Sequence, residues 1–454
     1  VGGIGLAASS NAATLVWRSN ATGGVNWSDA TLWNPAQAPA NGDVIAFTST
    51  PVTGGSRTTN NDLSNLSIDS VNVTVAAYAL NGNALKLSGN SIAFSQTQSA
   101  VFDIGAPIEL GQATTFNVVR SDSSTGTAPR INVNGVLSGA FGVTKTGVGT
   151  LRYQTNAKTY TGNTLVSAGT LDMSTDNMMP FGAGKGNLAI DLGASLFLNN
   201  VSCNINGLND GPNGAGNVSK SGSGSRSLTL GNGDANGSFS GNITFTGGTT
   251  TSLNKVGAGT QTLSGAVSVI AAGSVSGGRL NVNGTWNTGI NVSGGATLGG
   301  SGIISGTVAS TTGGIISPGT SPGTLTVGGL TLNSTSVLNY ELNGGNTTVG
   351  SSINDLINVT TAGGLTLNGT LNVSETVAGS FASSAGGTWR LINYSGALAG
   401  SGLTLGTIPT LPSGASLSID TATAGQVNLV LTVPEPTSLL VLGATGLIAM
   451  KRRR

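Results

Sequence analysis

Apolar side chains in this chain come in short bursts that alternate with Thr, Ser or Asn and end in Gly. Leu365-Thr366-Leu367 and Thr370-Leu371-Asn372-Val373 show the two-residue period that sends alternate side chains to opposite faces of a strand. Leu280, Leu298 and Ile316 each follow a Gly-Gly pair and recur every 18 residues. None of these runs can bury a core alone. Stacking solves the problem: coils hydrogen-bond to one another at ~4.8 Å while their Leu, Val and Ile side chains form continuous internal ladders. The expected fold is therefore all-β, a parallel β-helix with about 18 to 25 residues per coil, drawn out into a rod. Asn-Gly pairs at Asn81, Asn134, Asn283, Asn343 and Asn368 support a rival, an antiparallel sandwich of hairpins. They recur with long-period phrases rather than between matched strands, which favours the solenoid.

Composition fits the stack. Of 454 residues 73 are Gly, and charged residues make up 8% against ~25% in typical soluble domains. The glycines keep no three-residue period, which excludes collagen. Gly at corners allows positive φ, and Asn tolerates that region while stacking on Asn of neighbouring coils. The formal net charge is +1, but Lys451, Arg452, Arg453 and Arg454 supply four of the 18 basic residues, leaving 14 against 17 acids. No basic run precedes that tail, so nucleic acid is not expected as a partner. His is absent, which removes the usual general base and the commonest metal ligand. The single Cys203 can form no intrachain disulfide and reads as a small buried apolar group.

The two ends read as addresses. Val1–Ala8 is small and apolar, and Ser10 and Ala12 fit a signal-peptidase site, so residues 1–13 are expected to be the remainder of a secretory signal. At the other end Val433-Pro434-Glu435-Pro436 precedes an uncharged stretch from Thr437 to Met450 and then Lys451-Arg452-Arg453-Arg454. Fourteen helical residues reach only ~21 Å, short of the ~30 Å hydrocarbon core, but flanking cations can snorkel. This order resembles the PEP-CTERM sorting signal. The resemblance implies a short transmembrane helix, transient retention in the inner membrane, and processing at the Pro-Glu-Pro motif by an exosortase.

The body recycles one phrase. Lys145-Thr146-Gly147-Val148-Gly149-Thr150-Leu151 leads to Tyr160-Thr161-Gly162-Asn163-Thr164 and then to Ala168-Gly169-Thr170-Leu171. Lys255-Val256-Gly257-Ala258-Gly259-Thr260 repeats the opening, and a weaker copy runs from Val218 through Lys220, Gly222 and Gly224 to Leu228. These phrases resemble the autotransporter-associated β-strand repeat. Ile316-Ser317-Pro318-Gly319-Thr320-Ser321-Pro322-Gly323-Thr324-Leu325 resembles a Pro-Gly segment that recurs near the end of such passengers. Membership implies a right-handed parallel β-helix outside the cell and no particular activity. Autotransporters end in a membrane barrel, for which the stretch after Val433 is too short, so the exosortase route is the expected one.

Trp17, Trp27 and Trp33 gather most of the chain's indole near one end. They are expected to form the core of an N-terminal cap over residues 14–60; a sugar-stacking platform is the alternative. Residues 61–431 would be the β-helix body, closed by strands in Gly387–Ile392 and Val427–Val433, and 432–454 the sorting and anchor segment. No catalytic, cofactor or metal residues are assigned. Gly182-Ala183-Gly184-Lys185-Gly186 lacks the Ser or Thr that a P-loop needs after its Lys, and Gly231-Asn232-Gly233-Asp234 occurs only once, whereas calcium nonapeptides stack. A β-helix polysaccharide lyase or hydrolase is the enzymatic alternative. It would require clustered carboxylates beside a base, and only Asp172 with Asp176, or Asp69 with Asp103 across coils, come near one another. The expected function is a structural or adhesive one at the cell surface or in the extracellular matrix, with extracellular polysaccharide as a ligand.

Overall fold

The computed structural model describes residues 12–18, 25–48, 57–75, 77–97, 99–122 and 126–435. They form short strands, with two single-turn 3₁₀ segments, and fall into two compact units: Val1–Leu298 with Gly302–Gly306, and Gly299–Ser301 with Thr307–Arg454. Long parallel sheets, as in a β-helix, dominate both.

In the first unit every turn of chain contributes strands that pair in parallel with those one coil away. Along one sheet the register links Phe102, Ile131, Leu151, Leu171, Leu196, Val218, Ile243, Val267, Trp286 and Ile304 into one unbroken inward ladder. Each of these side chains is at most 3% exposed. Burying a side chain of this size is worth roughly 1.5–3 kcal/mol, and here each gains it from the coils above and below rather than from its own strand. Cys203 stands in a parallel ladder below Leu228 and Leu253, and burial pushes its thiol up to about 12. It is a core residue.

The Asn-Gly pairs turn corners between parallel rungs. Asn134 and Gly135 both donate their amides to the Ile104 carbonyl one coil away, at 2.8 and 3.0 Å, and the Asn134 carboxamide oxygen accepts from Gln154 of the next coil. The sandwich expectation fails because most strands pair in parallel with a partner a full coil away in sequence. Antiparallel strand pairs do occur early in the first unit, Thr14–Trp17 with Trp33–Asn34, and late in the second, where Gln426–Thr432 pairs with both Gly387–Asn393 and Ser416–Asp420. The three entry indoles are no more than 1% exposed, and Trp33 meets Trp17 and Trp27 edge-on at 4.9 and 5.4 Å. Their faces are packed and offer no sugar platform.

The second unit keeps the parallel scheme with longer coils. Ile316, Leu338, Leu371 and Leu405 form its inward ladder. Neighbouring rungs Asn339–Asn372 and Thr370–Thr404 are 33 and 34 residues apart, beyond the 18 to 25 expected. The excess lies in excursions between strands, each tied down by one polar side chain: Asn354 takes the Asn343 amide and donates to the Asn346 and Thr348 carbonyls, while Glu375 accepts from the Gly379 and Phe381 amides. The Pro-Gly segment has a similar anchor. Asp355, fully buried, accepts from the Gly323 amide and the Glu341 amide, both at 2.8 Å.

Candidate functional surface

The repeat phrase opens with Lys, and alternation would turn Lys145 inward, between Phe116 and Val166 of the neighbouring coils. That is where it goes: Lys145, Lys220 and Lys255 are 0%, 2% and 1% exposed. A buried ammonium needs acceptors, and the glycine turn that follows provides them. Lys145 Nζ donates to the carbonyls of Thr146 (2.8 Å), Gly147 (2.7 Å) and Ala168 of the next coil (3.0 Å). Lys255 does the same with Val256, Gly257 and Gly277, and Lys220 with Gly222, Gly224 and Gly247. The turn must be Gly because Gly147 has φ +72° and a Cβ there would lie 2.4 Å from the Val118 carbonyl oxygen. Lys-x-Gly is thus a staple: one side chain binds its own turn to the coil above.

Lys158, outside the motif, is 2% exposed and donates to the carbonyls of Val133, Gly135, Gln154 and Asn156, with its ammonium 5.4 Å from the Tyr153 ring centroid. Burial pushes Lys145 and Lys158 down to about 7 and Lys255 to about 8. The Tyr160 hydroxyl of the repeat's middle phrase lies 2.6 Å from Thr164 Oγ1 and 3.3 Å from the Tyr153 hydroxyl, an internal polar chain in which burial pushes Tyr160 up to about 12. These groups are enclosed and serve the fold. Sequence reading passed over them because a Lys between polar neighbours looks solvated. The signal was present in the recurrence of Gly two and four places after each Lys.

Several charged and polar groups on one sheet line up in a column. Register aligns Asp103, Asn132, Arg152 and Asp172 on successive coils. Asn132 donates to Asp103 at 2.8 Å, and Arg152 binds Asp172 through Nε (2.8 Å) and Nη2 (2.6 Å). Burial raises the Asp172 carboxyl and Arg152 opposes it. Asp176 instead accepts from the Ser202 amide and faces Arg226 at 3.5 Å, while Asp69 sits on a different sheet from Asp103. The two carboxylate pairings suggested by sequence are therefore not brought together. Among the described residues no group of three or more Cys, Asp or Glu could hold a metal ion. The Gly182–Gly186 loop is clipped by Asn206, which accepts from the Gly182 amide and donates to the Gly182 and Lys185 carbonyls. Asp234 accepts from the Ala258 amide at 2.7 Å.

Of the residues expected to form a sorting motif, Val433 is half-buried and Pro434 and Glu435 are exposed just past the strand Gln426–Thr432. Pro436, the stretch Thr437 to Met450, and Lys451, Arg452, Arg453 and Arg454 lie outside the described residues, as do residues 1–11 of the expected signal remnant. No helix among the described residues is long and apolar enough to cross a membrane.

Much of the outer surface is Thr, Ser, Asn and Gly, with single exposed apolar side chains such as Val148 and Leu192, and it contains clefts in both units. In the first unit, one of about 460 Å³ runs along Ser64–Ser67 and Asn83–Lys86 and carries the Lys86–Glu109 pair at 3.0 Å. In the second unit, one of about 350 Å³ is lined by Ser317, Asn339, Glu341, Asn372, Ser374 and Thr407 with the backbone of Tyr340 and Val373.

No family model matches this chain. Part of it is similar to the Adhesin BmaC autotransporter of Brucella suis biovar 1 (strain 1330), 32% identical over 190 residues, which is 42% of this chain and 5% of that protein's length. Parallel stacked strands and this partial similarity agree on one coarse description, an autotransporter-like passenger.

Proposed function

We propose that the chain is an exported structural or adhesive protein of the cell surface or extracellular matrix, sorted through a PEP-CTERM signal, with extracellular polysaccharide as its ligand. The observation that carries this reading is the division of labour in the coil: the indoles and the repeat's lysines are enclosed, and alternate positions of the same strands turn Thr, Ser and Asn outward. Many hydroxyls and amides on a stiff support bind a repeating ligand weakly at each point and firmly in sum. Similarity to part of a protein named as an autotransporter adhesin supports the same reading.

The purified chain is expected to co-sediment with cells of its source and to be retained on extracellular polysaccharide. Failure of both would end the adhesive reading. The sorting signal is a separate matter with its own test. Deleting residues 437–454, or substituting Glu435 and Pro436, is expected to move the protein from the membrane fraction to the medium and to abolish processing. Unchanged fractionation after the deletion would remove the anchoring role.

A further inference from the structure

The cleft on the second unit lies on the outward face of the strands Val337–Leu342 and Thr370–Glu375, whose register sets Asn339 opposite Asn372 and Glu341 opposite Ser374. Its polar groups are fixed by neighbours that leave specific valences open. Asn372 Nδ2 donates to Asn339 Oδ1 at 3.0 Å, and Asn372 Oδ1 accepts from the Thr407 amide at 2.8 Å, so both amide planes are locked. Asn339 Nδ2 has no partner among the described residues. Ser374 Oγ donates to the Tyr340 carbonyl at 3.3 Å and keeps its lone pairs. Glu341 is half-buried, and its carboxylate meets no hydrogen-bond donor and no cation among the described residues. In a protein with 35 charged residues, where the buried charges described above are held by carbonyls, backbone amides or a counter-ion, a half-buried carboxylate with no such partner among the described residues stands apart.

The geometry points to this cleft as a binding subsite for a neutral, hydroxyl-rich saccharide, an inference that rests on the adhesive reading above and gives it a location. A carboxylate accepts from two adjacent hydroxyls at once, the free amide hydrogens of Asn339 donate, Ser374 accepts, and the Thr407 hydroxyl can do either. At about 350 Å³ the cleft is at the lower end of the ~300–1,000 Å³ range of small-molecule sites. No Lys or Arg lines it, so an acidic glycan would meet an uncompensated like charge. No aromatic face is offered either, because the Tyr340 ring is buried with its hydroxyl bound to the Leu391 carbonyl at 2.8 Å. Each contact is then weak, and retention on a polymer comes from repeated engagement.

The test uses the full chain in affinity electrophoresis through gels containing dextran, mannan or polygalacturonate. Wild type is expected to be retarded by a neutral polymer and not by polygalacturonate. Glu341→Gln should weaken that retardation at least fivefold and Glu341→Lys at least tenfold, with unchanged far-ultraviolet circular dichroism. Glu109→Gln, in the other cleft, should behave as wild type. Retardation by neutral polymer that survives both Glu341 variants, or that Glu109→Gln removes equally, overturns the subsite while leaving the adhesive reading standing. Binding to polygalacturonate alone overturns it too. No binding to any polymer or to cells overturns both.

Discussion

Replacing Lys145 with Met is expected to destabilise the first unit by about 2–4 kcal/mol, although the two side chains occupy similar volume. Met fills the space beneath Val166 but donates nothing to the carbonyls of Thr146, Gly147 and Ala168, which now share one ammonium. A buried acceptor left without a donor costs roughly 1–3 kcal/mol, and the sum is reduced by the desolvation that Lys no longer incurs. The damage should be local, since each coil of a solenoid contacts its neighbours alone. Urea unfolding gives the magnitude. Hydrogen exchange gives the place: amides of Ser167 and Ala168, which bond the Lys145 carbonyl, should exchange faster, while those around Leu253 should not. Lys86→Met is the contrast, because the Lys86–Glu109 pair is half exposed on both sides and exposed pairs contribute about 0–1 kcal/mol. A Lys145→Met protein as stable as Lys86→Met would show that the staple carries no weight.

This staple also marks where sequence reading stopped short. Alternation and the 18-residue spacing were enough to place Leu280 and Leu298 as inward residues, because burial of apolar side chains at a two-residue period is a local property of the strand. The same alternation assigns Lys145 inward, yet polarity argued otherwise; only the three-dimensional approach of Ala168 from the next coil supplies the acceptor that makes a buried Lys tolerable. Coil length in the second unit was illegible for a related reason. Loops such as the one held by Asn354 carry no period, and their length is set by one side chain gathering distant backbone groups. The polar cleft is more remote still from sequence. Glu341 looks like any solvated acid until the register places Ser374 rather than a Lys or Arg opposite it.

Stability should rise as pH increases from about 7 toward 9, where a lysine on the surface with its ordinary pKa would produce no change. In the unfolded chain Lys holds its proton to about 10.5, whereas burial lowers Lys145 and Lys158 to about 7 and Lys255 to about 8. Between those values the unfolded state binds more protons than the folded one, so the free energy of unfolding increases with pH, by up to about 1.4 kcal/mol per group per pH unit. Below about 7 both states are protonated and the burial cost is carried in full. No His titrates in this window to obscure the effect. Above about 10 the sign reverses, because burial raises Cys203 and Tyr160 to about 12 and lifts Tyr153 and Tyr340 as well, and there the protons the unfolded chain loses from these groups outnumber those its lysines still hold. The carbonyl cradles favour the charged amine and oppose burial, which makes the rise smaller than the bare shifts imply but does not change its direction. Urea midpoints measured from pH 6 to 11 are expected to peak near 10, and Lys145→Met should make the rising limb shallower while leaving a fall above the peak. A wild-type midpoint constant from pH 7 to 9 would mean that the cradles compensate burial completely and that these lysines keep their protons as they do in water.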